Sequence, residues 1–451
     1  MVTYRQRVRE IERRLGRQRL IYFGTRGTDA LPLLELSNFE EIFSQIAPLG
    51  SVSLLPETCL ELLKQERVDL DQYSIDKDNS PEVSKFRRAL LHALRKPSVI
   101  LPYRPSAVLA SAYFTRSNVS RYLGVFHEKQ ACFEHKPWVE TELQRIGVPV
   151  LPWSYFADED HALIHEAAET GPIVLRANRS DGGAGLTLVK NPTQIQSEWP
   201  IHPDGFLAAA PFLHPSIPLN VNACVFEDGT VSIHQASLQL IGITQCTSHP
   251  FGYCGNDFAA LGMLDSSALE DLEEITSMVG RWLRIEGYLG AFGIDALFHD
   301  GTIYLVEVNP RFQGSSAMAA TLMREVGRPD LYLDHISAFL GLIPAKPLKL
   351  RDLLSAQPCL AHLVCHNTGS SALYRNASPE PAISLNHRLL ASPNICIKPG
   401  AIIVQAIFDH SITNTGYEII PESQAALNEI ISIHSPGRSG ATFSKPRPDY
   451  C

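Results

Sequence analysis

Between Gly287 and Ser316 the chain reads GYLGAFGIDALFHDGTIYLVEVNPRFQGSS, and this stretch constrains everything around it. The run from Leu289 to Phe298 is apolar and rich in β-formers. His299-Asp300-Gly301 is a turn signal, and Thr302 to Val308 alternates until Pro310 stops it. Glu307 and Asn309 are two apart, so on a strand they share a face. Whether Asp295 joins them depends on the turn. A two-residue loop at Asp300-Gly301 pairs Asp295 with Val306 and sends its carboxylate to the opposite face. A three-residue loop, His299 to Gly301 with Gly301 left-handed, pairs Asp295 with Leu305 and makes Asp295 and Glu307 diagonal neighbours. The three-residue turn is the expectation. Two carboxylates and an amide oxygen form a hard, oxygen-rich site suited to Mg²⁺ held between carboxylates and substrate phosphates. Arg311 follows at once and can face the same charge. An exposed hairpin with solvated acids is the plainer alternative.

Bulk properties exclude several classes. With 451 residues, 45% hydrophobic and 19% charged, the chain is an ordinary soluble globular protein of two to four domains. A net charge of -9 argues against a nucleic-acid binder that neutralises phosphates. No apolar run reaches the length of a membrane span. Nine scattered cysteines read as reduced thiols of a cytoplasmic protein. The arginine-rich start lacks a secretory apolar core, and Glu10 and Glu12 disfavour a transit peptide. It reads instead as a basic amphipathic helix, with Val8, Ile11 and Leu15 on one stripe, packed on the next domain.

Strand and helix signals alternate from residue 18 to about 125, which predicts a small α/β domain. Leu20 to Phe23 is a strand closed by the turn Gly24-Thr25-Arg26-Gly27, which is not a GxGxxG fingerprint. Asn38 to Ile46 reads as a helix on the stripe Phe39, Ile42, Phe43 and Ile46. Ser51 to Leu55 and Ser98 to Leu101 read as strands, and Pro81 to Arg95 as a helix. Arg26 and Arg104 read as solvated surface groups, with a substrate contact as the alternative.

Lys136 then opens a helix containing Trp138, Leu143 and Ile146; Gly147 caps it, and Val148-Pro149-Val150 begins a strand. Ile173 to Leu175 and Leu186 to Val189 are strands flanking Ser180-Asp181-Gly182-Gly183-Ala184-Gly185. Glycines at 182, 183 and 185 let backbone N–H groups approach phosphates, although a flexible hairpin loop has the same composition. Asn220 and Asn222 share a strand face. Ile241 to Ala260 is polar and loop-like; its Cys246, His249 and Cys254 lack a fourth ligand and a CxxC pair, which disfavours zinc. Leu269 to Ile285 is an amphipathic helix. Gln313, Gly314 and Ser315 lead into a helix from Ala317 to Glu325 whose first N–H groups can hold an anion. Residues 331 to 341 form another helix, and Pro344 and Pro347 mark a boundary. Beyond it, Leu360 to Cys365, Ala401 to Phe408 and Tyr417 to Ile420 read as strands, and Glu422 to Ile433 as a helix.

The order of these motifs, and above all Asp295 followed by Glu307-Val308-Asn309-Pro310-Arg311, resembles the ATP-grasp superfamily over roughly Phe126 to Leu342. The resemblance implies an α/β ATP-grasp fold, two α+β subdomains gripping ATP. It divides the chain into an N-terminal α/β domain (1–125), a lid subdomain with the glycine-rich loop (126–210), a core subdomain with the metal site (211–344) and a β-rich C-terminal domain and tail (345–451). Asp295, Glu307 and Asn309 would hold two Mg²⁺, for which Mn²⁺ can substitute, on the ATP phosphates. Arg311 would stabilise the transferring phosphate, Lys136 would contact phosphate, and Gly182, Gly183 and Gly185 would cover the phosphates. Arg176 stands where the family has a second lysine; it keeps the charge but is not interchangeable with lysine. Ala210 and Leu213 lie in the expected adenine hinge, Phe206 to Leu213, where alanines replace the usual acid. Gln313, Gly314 and Ser315 would meet substrate.

The implied activity is carboxylate–amine ligation through an acyl phosphate, releasing ADP and phosphate. The substrates would be small molecules, an amino-acid-like carboxylate and an amino acid or peptide amine, and a homodimer is compatible. The layout is most like pheganomycin-type peptide ligases of natural-product pathways. Thioester ligase or carboxylase chemistry, and a non-catalytic ATP-binding module, are the alternatives.

Overall fold

Short apolar runs joined through helices produce a parallel sheet at the N-terminal end of the chain. In the computed structural model, which describes residues 2–47, 55–67, 75–157, 160–178, 183, 185–194, 205–375, 386–389, 394–434 and 443–444, five parallel strands build it. Their order is Glu57–Cys59, Phe39–Ile46, Arg19–Arg26, Ser98–Pro102, Ser120–Tyr122. Phe39–Ile46 is therefore a strand, not the expected helix. It lies between two parallel neighbours and is buried on both faces, so its buried positions mimic a helical stripe. The Gly24 turn is also corrected: the strand continues to Arg26, and Gly24 makes room for the Tyr22 ring, whose hydroxyl would lie 2.1 Å from a Cβ there. Most of the expected strand from Ser51 to Leu55 lies outside the described residues.

Glu57, on the edge strand of this sheet, accepts the Ser44 hydroxyl at 2.6 Å. Burial raises its carboxyl from 4.5 to about 7, helped by nearby Glu61 and opposed by the Ser44 bond. The unfolded chain loses this proton near 4.5 and the folded chain keeps it to about 7. Stability from this group is thus complete below the lower value and falls as pH rises to the upper one. Glu57→Gln keeps a neutral side chain. In urea titrations, the variant should gain stability relative to the parent between pH 5 and pH 8; a pH-independent difference would show that Glu57 does not titrate there.

The amphipathic N-terminal helix is Tyr4–Leu15, with Ile11 and Leu15 buried. It packs across to the helix Leu331–Phe339 as well as on the parallel sheet, and Arg7 Nη2 donates to the Ile343 carbonyl at 2.7 Å.

A second, antiparallel sheet has the order Ser154–Ala157, Phe206–Pro211, Ile173–Ala177, Leu186–Val189. Val148-Pro149-Val150 does not begin a strand. It runs beside Leu305, whose N–H donates to the Pro149 carbonyl at 2.7 Å, and so ties the entry to this sheet to the hairpin.

The third sheet has eight strands, in the order Thr302–Asn309, Gly290–His299, Ile217–Val225, Val231–Ile241, Tyr253–Asp257, Ala361–His366, Ile402–Phe408, Asn386–Leu389. Alternation along Ile217–Val225 assigns its faces. Leu219, Val221, Ala223 and Val225 pack beneath the helix Ser266–Ile285, while Pro218, Asn220 and Asn222 turn to the opposite face. Tyr253–Asp257 was expected to be loop; pairing with strands on both sides overrides its β-poor composition. Strands on either side of the expected boundary at 344/345 are continuous in one sheet. A small further sheet joins Phe443–Ser444, Leu373–Arg375, Cys396–Ile397 and Glu66–Arg67.

Tyr417 to Ile420 is not a strand. The preceding residues are held by Asp257, which accepts the N–H groups of Ile412 at 2.6 Å and Thr413 at 3.2 Å. Cys396 is disulfide-bonded, so the expectation of uniformly reduced thiols fails there. Among the described residues no helix is long and apolar enough to cross a membrane.

Candidate active site

The hairpin Gly290–His299 and Thr302–Asn309 closes on the pair His299 and Thr302. Asp300 (φ 48°) and Gly301 (φ 77°) are both left-handed, the two-residue turn that Asp-Gly favours. The expected three-residue turn is therefore wrong. Asp295 nonetheless faces Glu307, because the register shifts between Asp295 and Ala296. Ala296 pairs with Leu305, Asp295 pairs with Glu307, and Val306 is an extra residue, a β-bulge. The bulge restores the face that the shorter turn would have reversed. Asn309 Nδ2 donates to Asp295 Oδ2 at 3.0 Å, so the three expected metal ligands meet.

Asp295 is held from three sides. Its Oδ1 accepts Asn220 Nδ2 and Gln239 Nε2, both at 2.7 Å. Burial and the facing Glu307 raise its carboxyl to about 6, against the opposing pull of the Asn220 and Asn309 hydrogen bonds and of Arg311. Two acids this close favour a cation between them. The donors are all oxygens once the Asn309 amide nitrogen is spent on Asp295, which fits Mg²⁺ rather than a soft metal. Among the described residues no group of three or more His, Cys, Asp or Glu side chains converges as a metal site, and Cys246 instead contacts the Cys365 sulfur at 3.5 Å.

A cavity of about 400 Å³ opens over this face. Lys136, first residue of the helix Lys136–Arg145, lies on its wall and bonds Glu307 Oε1 through Nζ at 2.8 Å. Arg311 also lines it; its Nε lies 3.6 Å from Glu134 Oε1, and Arg104 reaches the same carboxylate at 2.8 Å. Arg26 is not solvated as expected. It is buried, pairs with Asp29 at 3.0 Å, and donates to the Gly314 carbonyl at 3.3 Å.

Gln313 and Ser315 bond the Asn220 side chain, and Ser315 and Ser316 bond that of Asn222. These amides and hydroxyls form one satisfied buried network that fixes the loop after Arg311 against the sheet. Gly293 is required there: a Cβ would lie 2.0 Å from Gln313.

The antiparallel second sheet forms the roof. Arg176, Gly183, Ala210 and Leu213 line the cavity. Gly183 has φ +83°, and a Cβ on it would lie 2.2 Å from the Phe251 carbonyl oxygen. Gly185 accepts the Ala177 N–H at 2.9 Å. Gly182, with most of the expected glycine loop, lies outside the described residues.

Arg176 is 2% exposed and grips the Glu140 carboxylate with both Nη atoms. Its guanidinium stacks 3.9 Å above the Trp153 ring. The sequence reading missed Gln239, Glu134 and Glu140. Gln239 is one of several polar residues in the strand Val231–Ile241, so the sequence does not single it out; Glu134 caps the helix His127–Phe133 and Glu140 lies within Lys136–Arg145, and neither position carries a local sign of a guanidinium partner.

Residues 167–315 match the family model of an ATP-grasp domain. Biotin carboxylase from Campylobacter jejuni superposes with a TM-score of 0.60 at 15% identity, covering 88% of this chain and 89% of that one. The chain has the ATP-grasp fold. N5-carboxyaminoimidazole synthetase from Staphylococcus aureus shares this ATP-grasp fold, with a TM-score of 0.55 at 11% identity over 92% of this chain and 96% of that one. The formate-dependent phosphoribosylglycinamide formyltransferase of Yersinia enterocolitica is 25% identical over 278 residues, 60% of this chain. The match spans 65% of that relative's length, a little under two thirds. The family-model match covers residues 167–315, and the solved structures extend the likeness of fold over most of the chain.

Proposed function

We propose that the chain is an ATP-dependent ligase that joins a carboxylate to an amine through an acyl phosphate, with an amino-acid-like or peptide substrate in a natural-product pathway as its specific role. The observation that carries this reading is Asp295 opposite Glu307, with Asn309, Lys136 and Arg311 on the wall of the same cavity. Asp295, Glu307 and Asn309 would hold Mg²⁺, which supplies positive charge for the ATP phosphates when bound. Lys136 and Arg311 add fixed cations where negative charge grows on the transferring phosphoryl group. The substrate carboxylate attacks the γ-phosphorus, ADP leaves, and the amine then displaces phosphate from the acyl carbon. No protein nucleophile is needed.

One relative is named a formate-dependent formyltransferase, a name that pairs a small carboxylate with group transfer and so is in keeping with this reading. Room for an amino-acid side chain is supported by uncharged residues on the cavity wall, among them Phe251, Ile402 and Tyr417.

The reading predicts Mg²⁺-dependent release of ADP and phosphate when carboxylate and amine pairs are supplied. Chromatography of the nucleotide products checks it. AMP with pyrophosphate would exclude an acyl phosphate, and tight MgATP binding without turnover on any pair would favour a non-catalytic module.

A further inference from the structure

Arg176 belongs to the roof, on the strand Ile173–Ala177, yet its guanidinium is committed to a residue of the supporting layer. Glu140 lies on the helix Lys136–Arg145 and receives both Arg176 Nη groups, the second at 3.0 Å. The hydroxyl of Tyr155, another roof residue, also donates to Glu140. Arg176 and Glu140 are 2% and 8% exposed as side chains, so their geometry is not screened by solvent. Four residues earlier on the same helix, Lys136 places Nζ 2.8 Å from Glu307 in the metal hairpin. Positions four apart share a helix face. One rigid helix therefore takes the roof at its fifth residue and the metal-binding acid at its first.

We propose that Arg176 is a positioning residue: through Glu140 it sets the helix Lys136–Arg145, and thereby holds Lys136 against Glu307 and the ATP phosphates. It is not itself the phosphate ligand that its place in the chain implies. This rests on the ATP-binding reading above. A fork-to-fork pair fixes both the distance and the rotation of the helix, and a lysine at 176 would supply charge without that geometry. Stacking of the guanidinium on Trp153 holds its plane in place.

MgATP affinity measured by calorimetry on the full chain, with thermal unfolding recorded for each protein, separates the two roles. Arg176→Met, Arg176→Lys and Glu140→Gln should each weaken MgATP binding by about tenfold, the scale on which groups of one network couple. The Arg176→Met, Glu140→Gln double variant should be no weaker than either alone. In a Lys136→Met background, Arg176→Met should add little further loss. If Arg176 instead touches phosphate, Arg176→Lys should bind like the parent, Glu140→Gln should bind as well or better, and Arg176→Met should add its full loss to Lys136→Met. That pattern would overturn the proposal, as would losses of affinity that follow the unfolding temperature across all the variants. A parent chain that does not bind MgATP would refute the ATP-binding reading itself, a distinct outcome.

Discussion

Glu307→Gln is expected to cut turnover by at least about a hundredfold while the chain stays folded. The substitution keeps the side chain's shape and removes one negative charge from the pair that Asp295 and Glu307 form across the bulge. Two consequences follow. The carboxylate pair proposed to bind the cation loses half its formal charge, so metal-dependent nucleotide binding should weaken. Lys136, 2.8 Å from Glu307 Oε1, is left against a neutral amide and loses this ion pair. Displacing Lys136 from the transferring phosphoryl group should cut turnover by about 10²–10³-fold, the order found when one preorganised donor to a developing anion is removed. Raising Mg²⁺ should recover part of the nucleotide binding but not the rate. The check is ADP release and nucleotide affinity on the same samples across an Mg²⁺ titration, with circular dichroism for fold. Parent-like turnover at low Mg²⁺ would remove Glu307 from the metal site.

That site shows where sequence stops being informative. The hairpin itself was legible, because alternation, an Asp-Gly turn and a terminating proline each carry a local physical meaning. The bulge at Val306 was not. It depends on how the second strand relaxes against its neighbour, and it rescued an outcome that the wrong turn had been invoked to explain. Phe39–Ile46 failed for a related reason: Phe39, Ile42, Phe43 and Ile46 are buried in the strand as they would be on a helix face, so period alone cannot separate the two. Tyr253–Asp257 carried no β signal at all and is a strand because both flanking edges were available. The ATP-grasp fold was legible from the order of motifs. Glu134, 3.6 Å from Arg311 at a helix C-cap, and Glu140, which grips Arg176 from within a helix, were not, since an acid in or at the end of a helix reads the same whether it meets solvent or a guanidinium.

Replacing Arg311 with Met tests catalysis apart from binding. Arg311 lines the cavity beside the hairpin of Asp295 and Glu307, and its Nε lies 3.6 Å from Glu134. Removing it would be structurally costly if Glu134 were left buried and alone. It is not: Glu134 Oε2 keeps Arg104 at 2.8 Å, and Oε1 keeps Gln130 Nε2 at 2.8 Å. Methionine also keeps much of the side chain's bulk, so the loop through Gln313 and Ser315 should remain pinned to Asn220. What disappears is a cation near the expected path of the transferred phosphoryl group. MgATP affinity should therefore stay close to the parent's, because Lys136 and the carboxylate pair are untouched. Turnover should fall by roughly a hundredfold or more, the usual cost of one donor to a developing anion. Glu307→Gln lowers both quantities and Arg311→Met lowers only one, so the two variants should separate on a plot of affinity against rate. An Arg311→Met protein that releases ADP and forms amide at the parent rate would refute the role given to Arg311 and leave transition-state charge to Lys136 and the metal.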